Sequence, residues 1–328
     1  MKIGNVSQTV LRRSILKQLH TRREEAVIHP SVEEMCSAIR VKENEQAVFA
    51  NASLFGDEKD LAVFAIAHVL NDLATRGASP VGVNISILLP PHAYESRLKS
   101  MVEYAERAAR EQEIEILCAK AEVSPVISKT IVTVVGVGTV ENGRLIQSSM
   151  GKVGQDVVLL KWIALEGMLR ITREKEEDLV GRFVPAFLNQ IKEQQIHLMS
   201  ARELNHAREF GVSAMHQISE GGIFAALWNV AEASGTGIEV DLKKIAVKQE
   251  TIEVCEYFHL NPYQMTSAGS VLLVTDDGEG MVSAFEKEGV QAAVIGRLTD
   301  GNEKVIFNDS EKRFLDRPAQ DELLKIFE

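Results

Sequence analysis

Residues 60–91 read DLAVFAIAHVLNDLATRGASPVGVNISILLPP. In the first part, apolar residues recur at helical spacing from Leu61 to Val69, and Gly77 stands where a helix C-cap is expected. The second part, VGVNISILL, is a nearly continuous apolar run that stops at two prolines, which cannot continue a strand ladder. The stretch therefore predicts a mostly buried helix followed by a buried strand, a unit of a layered α+β fold.

Strand and helix patterns extend this unit in both directions. QAVFANASLF (residues 46–55) is rich in strand formers and precedes the charged turn GDEKD. After the two prolines, residues 94–114 form an amphipathic helical pattern that leads into the short strand IEILCA (residues 114–119). TIVTVVGVGTV (residues 130–140) predicts another strand, followed by the hairpin-like turn ENGR. The first half is therefore predicted to be α+β.

The second half repeats strand, loop and helix patterns in a similar order. The turn-like segment GKVGQD begins at residue 151, which predicts domains at 1–150 and 151–328. Two charged helices are expected between residues 174 and 210. The later elements are strands at 212–216, 237–241, 270–275 and 292–298, and helices at 223–234, 249–258 and near 280–288.

Composition and charge exclude several classes of protein. The 328 residues are 45% hydrophobic and 25% charged, which is ordinary globular usage and excludes a disordered or collagen-like chain. A net charge of −11 without a basic cluster argues against nucleic-acid binding. Cys36, Cys118 and Cys255 are too far apart in sequence for a CxxC zinc site. With no signal-type or membrane-spanning apolar stretch, we expect a cytoplasmic protein.

Four segments, read together, resemble the superfamily of aminoimidazole ribonucleotide (AIR) synthetase, or PurM. That superfamily also contains the hydrogenase maturation factor HypE, thiamine-monophosphate kinase and selenophosphate synthetase. The likeness is greatest to the HypE-like, AIR synthase-related proteins, and it runs in order over nearly the whole chain. The segments are NDLATRGASPVGVNISILLPP (71–91), LKWIALEGM (160–168), MHQISEGGIFAALWNVAEASGTGIEVDLKKI (215–245) and LNPYQMTSAGSVLLV (260–274).

The resemblance implies a PurM-like fold and a cytoplasmic homodimer. Its N-terminal domain is expected to carry a four-stranded sheet that pairs with the sheet of a second subunit, and its C-terminal domain is α+β. A nucleotide is expected between the domains. The chemistry that the superfamily shares is ATP-dependent phosphorylation of a carbonyl or carboxamide oxygen. It needs carboxylates that gather Mg²⁺ around the triphosphate and backbone N–H groups that receive phosphate.

The expected acidic positions are incomplete in this sequence. Met35, Ala52 and Gln217 stand where relatives have aspartate, and a thioether cannot hold Mg²⁺. Asp72 and Glu122 remain and are the metal ligands that the resemblance implies. Losing three carboxylates should weaken metal binding strongly, because nearby charges dominate such sites. The chain also ends in LLKIFE and lacks the terminal cysteine of HypE, so a direct role in making cyanide ligands is improbable.

Several candidate residues keep two interpretations. Gly221 and Gly222 shape a tight strand-to-helix turn or contact phosphate, and Ser219 is more readily explained as the helix cap than as a phosphate ligand. His216 fits a structural role better than that of a base. Lys161 fits a solvated surface lysine better than a lysine that reaches a phosphate. The full set of candidate nucleotide-binding residues is Asn71, Asp72, Lys120, Glu122, Gln217, Ser219, Gly221 and Gly222, in which Lys120 and Gln217 can partly replace metal as phosphate partners.

Two classes of function follow. The first is a HypE-like protein with an ATP-type cleft, whose ATP-dependent phosphorylating activity is weak or lost. The second is a non-catalytic protein that retains the fold to bind a purine-like metabolite or to assist assembly with a protein partner. A phosphoribosylformylglycinamidine cyclo-ligase is the weakest of the alternatives, because the acids of that branch are missing. Neither a nucleic acid nor a membrane is an expected partner.

Overall fold

The chain forms two compact units in the computed structural model, which describes residues 1–32 and 36–328. The first contains Met1–Ala74 and Ala78–Leu145, and the second contains Thr75–Gly77 and Ile146–Glu328. The main break along the chain therefore lies between residues 145 and 146. Met35, one of the positions that departs from the superfamily, lies outside the described residues.

Strands and helices alternate in the first unit. Its elements are β1 (Gly4–Asn5), α1 (Gln8–Val10), β2 (Ala26–Ile28), β3 (Ala38–Ile39), β4 (Glu45–Gly56), α2 (Leu61–Thr75), β5 (Ser79–Leu89), α3 (Glu95–Glu111), β6 (Glu115–Val123) and β7 (Thr130–Glu141). A π-helical turn (Leu11–Ile15) and a 3₁₀ turn (Leu16–Gln18) follow α1. The predicted helix–strand pair of residues 60–91 thus forms α2 and β5.

The main sheet of this unit has the strand order β1-β6-β5-β7-β4. Its neighbours are antiparallel except for β5 and β6, which are parallel. The four long strands are the four-stranded sheet that the resemblance implies, and the two-residue β1 adds a fifth at the β6 edge. β2 and β3 form a separate antiparallel pair.

Helix α2 packs tightly on one face of this sheet. Residues 61–71 are all buried, so the helix is apolar around nearly its whole circumference. A Cβ added at Gly136 of β7 would lie 2.1 Å from Val69 Cγ1, so the glycine permits the close approach of α2. α3 instead buries one stripe that includes Leu98, Met101 and Ala105, as its amphipathic pattern predicts.

The hairpin-like turn predicted after β7 does not form a hairpin. β7 pairs with β5 and β4, so both of its edges are already occupied. The chain after Glu141 instead leaves this sheet and enters the second unit at Ile146. The ENGR residues form a turn, but the residues of a turn do not by themselves determine whether a paired strand follows it.

The second unit contains the remaining elements. They are β8 (Asp156–Leu160), α4 (Leu165–Glu174), α5 (Glu176–Val180), α6 (Pro185–Glu193), α7 (Ala201–Phe210), β9 (Ala214–Gln217), α8 (Gly222–Ser234), β10 (Gly237–Asp241), α9 (Gln249–Phe258), β11 (Val271–Thr275), α10 (Gly278–Lys287), β12 (Ala292–Thr299), β13 (Lys304–Asn308) and β14 (Glu311–Phe314). Short 3₁₀ turns lie at Ser148–Met150, Gln194–His197, Leu242–Lys244, Pro262–Gln264 and Glu322–Phe327.

A mixed sheet with the order β14-β13-β10-β12-β8-β11-β9 organises this unit. Its core packs Val157 and Leu272 of the sheet against Ile223 and Leu227 of α8. Three helices, α5 to α7, occupy the region where two were predicted. Pro185 begins α6 and explains the difference, because proline is tolerated in the first turn of a helix but not in its interior.

Within the described residues, no helix combines the length and apolar character that crossing a bilayer requires.

Candidate functional site

Two of the candidate residues, Lys120 and Glu122, lie on the same side of β6. Both are exposed, and they alternate with the buried residues Ala119, Ala121 and Val123. Lys120 lies opposite Ser86 of β5 in the sheet register. This alternation places Lys120 and Glu122 on the sheet face that α2 does not cover.

Lys120 borders a small cavity beside the sheet. The cavity is about 170 Å³, and its lining includes Asn5, Leu11, Pro30, Cys118 and Lys120. The described residues give the Lys120 ammonium no ion-pair partner. A cavity of this size is smaller than the roughly 300–1,000 Å³ of drug-sized ligand pockets, so it fits one anionic group rather than a whole nucleotide.

Asn71 and Asp72 lie in the last turns of α2. Asn71 is fully buried and Asp72 is half-buried. Helix α2 packs on the face of the sheet to which Gly136 of β7 belongs. Glu122 pairs with Leu88 of β5, and Leu88 pairs with Ile131 of β7, which belongs to the opposite face. Asp72 and Glu122 therefore belong to opposite sides of the sheet, and this unit does not bring the two carboxylates together.

The described residues do not fit a magnesium site built from several acids. Among residues 1–32 and 36–328, no group of three or more His, Cys, Asp and Glu side chains can hold a metal ion. Ala52 lies opposite the buried Val134 and offers no oxygen ligand. Mg²⁺ prefers carboxylate and other oxygen ligands. Because Asp72 and Glu122 belong to opposite sides of the sheet, a magnesium site in this unit can use only one of these two carboxylates.

In the second unit, Gln217, Ser219, Gly221 and Gly222 follow one another at the turn from β9 to α8. Gln217 is buried at the end of β9, opposite Val271. The Gly222 N–H donates to the Ser219 carbonyl at 3.0 Å. Gly221 and Gly222 have φ values of 78° and 67°, in the left-handed region that favours glycine.

Close packing adds a second requirement for these glycines. A Cβ on Gly222 would lie 2.5 Å from the Tyr263 carbonyl oxygen and 2.6 Å from the Met265 nitrogen. A Cβ on Gly221 would lie 2.8 Å from Ala225 Cβ. Both glycines are therefore needed by the backbone of the turn, whether or not a ligand binds there.

A carboxylate from the same chain occupies the start of α8. The Gly221 N–H donates to Asp321 Oδ2 at 2.8 Å, and the Leu323 N–H donates to Asp321 Oδ1 at 2.9 Å. Burial, together with the nearby Glu166 charge, raises the pKa of Asp321 to about 6 against the lowering effect of its backbone donors. Asp321 thus takes the position at which the sequence predicts phosphate.

The predicted Ser219 cap does not form, and no side chain of the described residues caps α8. The residue that flanks α8 is Gly221, and its N–H is satisfied by Asp321 rather than by the Ser219 hydroxyl. Ser219 contributes its backbone carbonyl instead. The sequence signal for Asp321 is the ordinary one of an Asp that caps the short helix Glu322–Phe327, and nothing in it indicates a contact 100 residues away.

The segment around Asp321 is held by further contacts in the second unit. Leu323 and Ile326 are buried, and the Asn261 N–H donates to Glu322 Oε2 at 3.1 Å. The Ala319 carbonyl oxygen lies 3.1 Å from the position of a Gly221 Cβ. The segment therefore packs closely over the turn that begins α8.

His216 lies one residue before Gln217 and has a structural environment. Its Nδ1 is 3.0 Å from Ser148 Oγ, and Arg76 donates to the same hydroxyl at 3.1 Å and to the Met215 carbonyl at 3.3 Å. Burial, followed by the Arg76 charge, lowers the pKa of His216 to about 4. His216 is therefore neutral at pH 7 and is poorly suited to act as a general base.

Lys161 is buried, so the prediction of a solvated lysine is wrong. Its ammonium donates to the His197 and Met199 carbonyls and to Ser200 Oγ, and it lies 3.0 Å from Glu203. Burial lowers the pKa of Lys161 against the opposing effect of Glu203. Lys161 anchors the start of α7 and is not directed to a phosphate.

Family comparisons agree with this two-unit organisation. The model of the AIR synthase related protein N-terminal domain matches residues 26–140, and the model of the C-terminal domain matches residues 152–308. The chain belongs to the AIR synthase-related family. A putative hydrogenase expression/formation protein of Methanocaldococcus jannaschii is 24% identical over 272 residues, which are 81% of this chain and 79% of that protein. The family explains the order of the four sequence segments.

Solved structures share the fold over nearly the full length. HypE of E. coli, a hydrogenase maturation protein, aligns with a TM-score of 0.78 and 19% identity over 98% of this chain and all of that chain. A HypE solved in complex with ATP aligns with a TM-score of 0.75 and 14% identity over 97% and 96% of the two chains. A HypE–HypF complex aligns with a TM-score of 0.69 and 19% identity over 83% and 90%. The chain therefore has the PurM/HypE fold.

Proposed function

We propose that this HypE-like chain binds ATP or a related purine nucleotide and that its ATP-dependent phosphorylating activity is weak or lost. The observation that carries the proposal is Lys120, an exposed cation that lines a cavity in a chain whose fold matches a HypE solved with ATP. An ammonium without a carboxylate partner is suited to bind a phosphate oxygen by a charge-assisted hydrogen bond.

The weak chemistry follows from the acids that are missing. Phosphoryl transfer depends on neutralising charge around the transferred group, commonly through metal ions held by carboxylates. Ala52 supplies no ligand, and among the described residues no group of three or more His, Cys, Asp and Glu side chains can hold a metal ion. We therefore propose nucleotide binding that depends little on Mg²⁺, and we assign no catalytic step to a metal.

The hydrogen bonds at the turn that begins α8 favour Lys120 over this turn as the phosphate contact. The N–H groups of Gly221 and Gly222 already have acceptors in Asp321 and Ser219. A phosphate at this turn has to displace the Asp321 carboxylate or use other donors. Lys120 needs no such displacement, so we expect it to contribute more to nucleotide affinity.

Calorimetric titration with ATP, with and without Mg²⁺, tests the proposal, and ADP release is assayed in the same samples. Lys120→Gln removes the cation and keeps a polar side chain. It should weaken ATP binding about 10- to 150-fold, since a charged hydrogen bond contributes roughly 1.5–3 kcal/mol. Lys99→Gln, at an exposed position of α3, is the matched control and should bind normally.

Two results would contradict the proposal. If ATP binds neither with nor without Mg²⁺, the chain is not a nucleotide-binding protein. If binding requires Mg²⁺, ADP is released rapidly and Asp72→Asn abolishes both, the magnesium-dependent enzyme is the correct function and Asp72 is its ligand.

A homodimer is the assembly that we propose for this function. Phe49 and Phe55 of β4 and Val135 of β7 are exposed on the sheet face opposite α2, with 70%, 37% and 39% of their surface accessible. Apolar side chains on one exposed face are typical of an interaction surface. A heterologous protein partner is the second candidate, supported by the HypE chain solved in complex with HypF.

A further inference from the structure

Two of the three cysteines belong to the first unit, and one of them lines the cavity that Lys120 borders. Cys118 is on β6, half-buried, and lines the cavity directly. Cys36 is exposed. The third cysteine, Cys255, is buried in α9 of the other unit. The chain therefore has one accessible thiol, one partly accessible thiol and one enclosed thiol.

Described residues before and after Cys36 lie near the strand that carries Cys118. Pro30, Ser31 and Val32 line the same cavity as Cys118. On the other side, the Ser37 hydroxyl donates to Asn84 Oδ1 at 3.0 Å, and Asn84 is the register partner of Cys118 on the adjacent strand. Adjacent strands are about 4.8 Å apart and adjacent Cα atoms about 3.8 Å, so the Ser37–Asn84 contact and one strand spacing separate Cys36 from Cys118.

The electrostatics of Cys118 agree with this placement. A charge on Cys36 raises the pKa of the Cys118 thiol, in addition to the larger effect of burial, while Lys120 lowers it. Charge effects between side chains weaken with distance, so this one agrees with neighbouring thiols. Lys120 also offers a positive charge to a Cys118 thiolate.

We propose that Cys36 and Cys118 form a thiol pair that a peroxide oxidises to a disulfide beside Lys120. The different exposure of the two thiols sets the order of the steps. Cys36 is the thiol that meets the oxidant, and Cys118 is the thiol that resolves the product.

The reaction balances with one molecule of hydrogen peroxide. The Cys36 thiolate attacks peroxide, the O–O bond breaks, and Cys36 becomes a sulfenic acid while hydroxide leaves and takes a proton to form water. The Cys118 thiolate then attacks the Cys36 sulfur, the S–S bond forms, and a second water leaves. Two thiols lose two electrons and two protons, and peroxide is reduced to two waters.

The disulfide would fix the chain at Cys36 to β6. A bridge between residues this far apart in sequence restricts the unfolded chain and should stabilise the first unit by about 2–4 kcal/mol. It would also convert the Cys118 thiol that lines the cavity beside Lys120 into a disulfide sulfur.

Thiol counting and peptide mapping test the proposal in the full chain. After stoichiometric hydrogen peroxide, the denatured protein should contain one free thiol of the original three, and dithiothreitol should restore all three. Trypsin without reductant should give a linked pair of peptides, residues 24–40 and 111–120, two hydrogens lighter than their sum. Cys36→Ser and Cys118→Ser should each abolish this species, and Cys255→Ser should retain it.

Three outcomes would overturn the proposal. One is that all three thiols survive while a free cysteine in the same tube is oxidised. A second is that Cys36 proceeds to sulfinic acid while Cys118 stays reduced. A third is a Cys36–Cys36 link between two chains, seen as a doubled mass on a non-reducing gel. None of these results depends on whether the chain binds ATP, so the proposal is tested separately from the nucleotide function.

Discussion

Asp321 should make the stability of the second unit depend on pH, and Asp321→Asn should remove that dependence. The pKa of Asp321 is raised from an ordinary 3.8 to about 6, chiefly by burial. A raised pKa in the folded state means that the folded protein holds this proton more tightly than the unfolded chain does. The contribution of this group to the free energy of unfolding therefore falls as the pH rises from about 4 to about 6.

The magnitude follows from the size of the shift. About two pH units, at about 1.4 kcal/mol each, correspond to about 3 kcal/mol. The whole effect is present below the ordinary pKa and is lost once the pH exceeds the folded-state value. The asparagine side chain of the variant does not titrate. Because more than half of the unfolded-state carboxyl is already ionised at pH 4, the free energy of unfolding of wild type minus that of Asp321→Asn should decrease by about 2–2.5 kcal/mol between pH 4 and pH 7.

Urea unfolding followed by tryptophan fluorescence measures this difference. Both tryptophans, Trp162 and Trp228, belong to the second unit, so their emission reports the unit that contains Asp321. Asp316→Asn is the matched control, because it makes the same chemical change at an exposed residue of the same segment. Its stability difference from wild type should stay nearly constant with pH.

A flat difference for Asp321→Asn between pH 4 and pH 7 would refute the reasoning, because it would show that burial does not perturb this carboxyl. A difference that increases with pH would refute it more strongly. That sign would mean that the backbone donors at Gly221 and Leu323 outweigh burial and favour the carboxylate.

Two further substitutions test the sheet face and the α8 turn. Phe49→Asp should convert a dimer to a monomer of 36.2 kDa in light scattering. The control Phe314→Asp, at an exposed residue of the other unit, should leave the mass unchanged, and a dimer that survives Phe49→Asp would exclude this face. Gly222→Ala should lower the free energy of unfolding in urea by roughly 2–4 kcal/mol, because it adds a clash with the Tyr263 carbonyl to a left-handed φ. Gly289→Ala has a similar φ but open space around the added Cβ, so it should cost only about 1 kcal/mol, and equal losses would exclude packing as the cause.

The helix–strand unit of residues 60–91 was predictable because its information is local. Apolar spacing and the Gly77 stop define α2, and the apolar run defines β5, although the strand begins at Ser79 and ends at Leu89, a shift of two residues. Resemblance of the four segments then predicted the fold, which the family and structure comparisons confirm.

The candidate site was less predictable because its decisive contacts are long-range. Lys161 looks like a surface lysine until His197, Ser200 and Glu203 enclose it. Asp321 looks like a local helix cap until Gly221 binds it. Sequence spacing identifies which residues can carry charge, but burial and partners decide which charges remain accessible.

Arg76 has a consequence for how this protein can be divided. It lies within the first half of the sequence but belongs to the second unit, where it binds the Ile146 and Met215 carbonyls and the Ser148 hydroxyl. A fragment that starts at Ile146 would leave these three acceptors without their guanidinium. A chimera that takes its second unit from another family member should therefore take residues 75–77 from that member as well. If only the residues after 145 are exchanged, Arg76 faces the acceptors of a different protein.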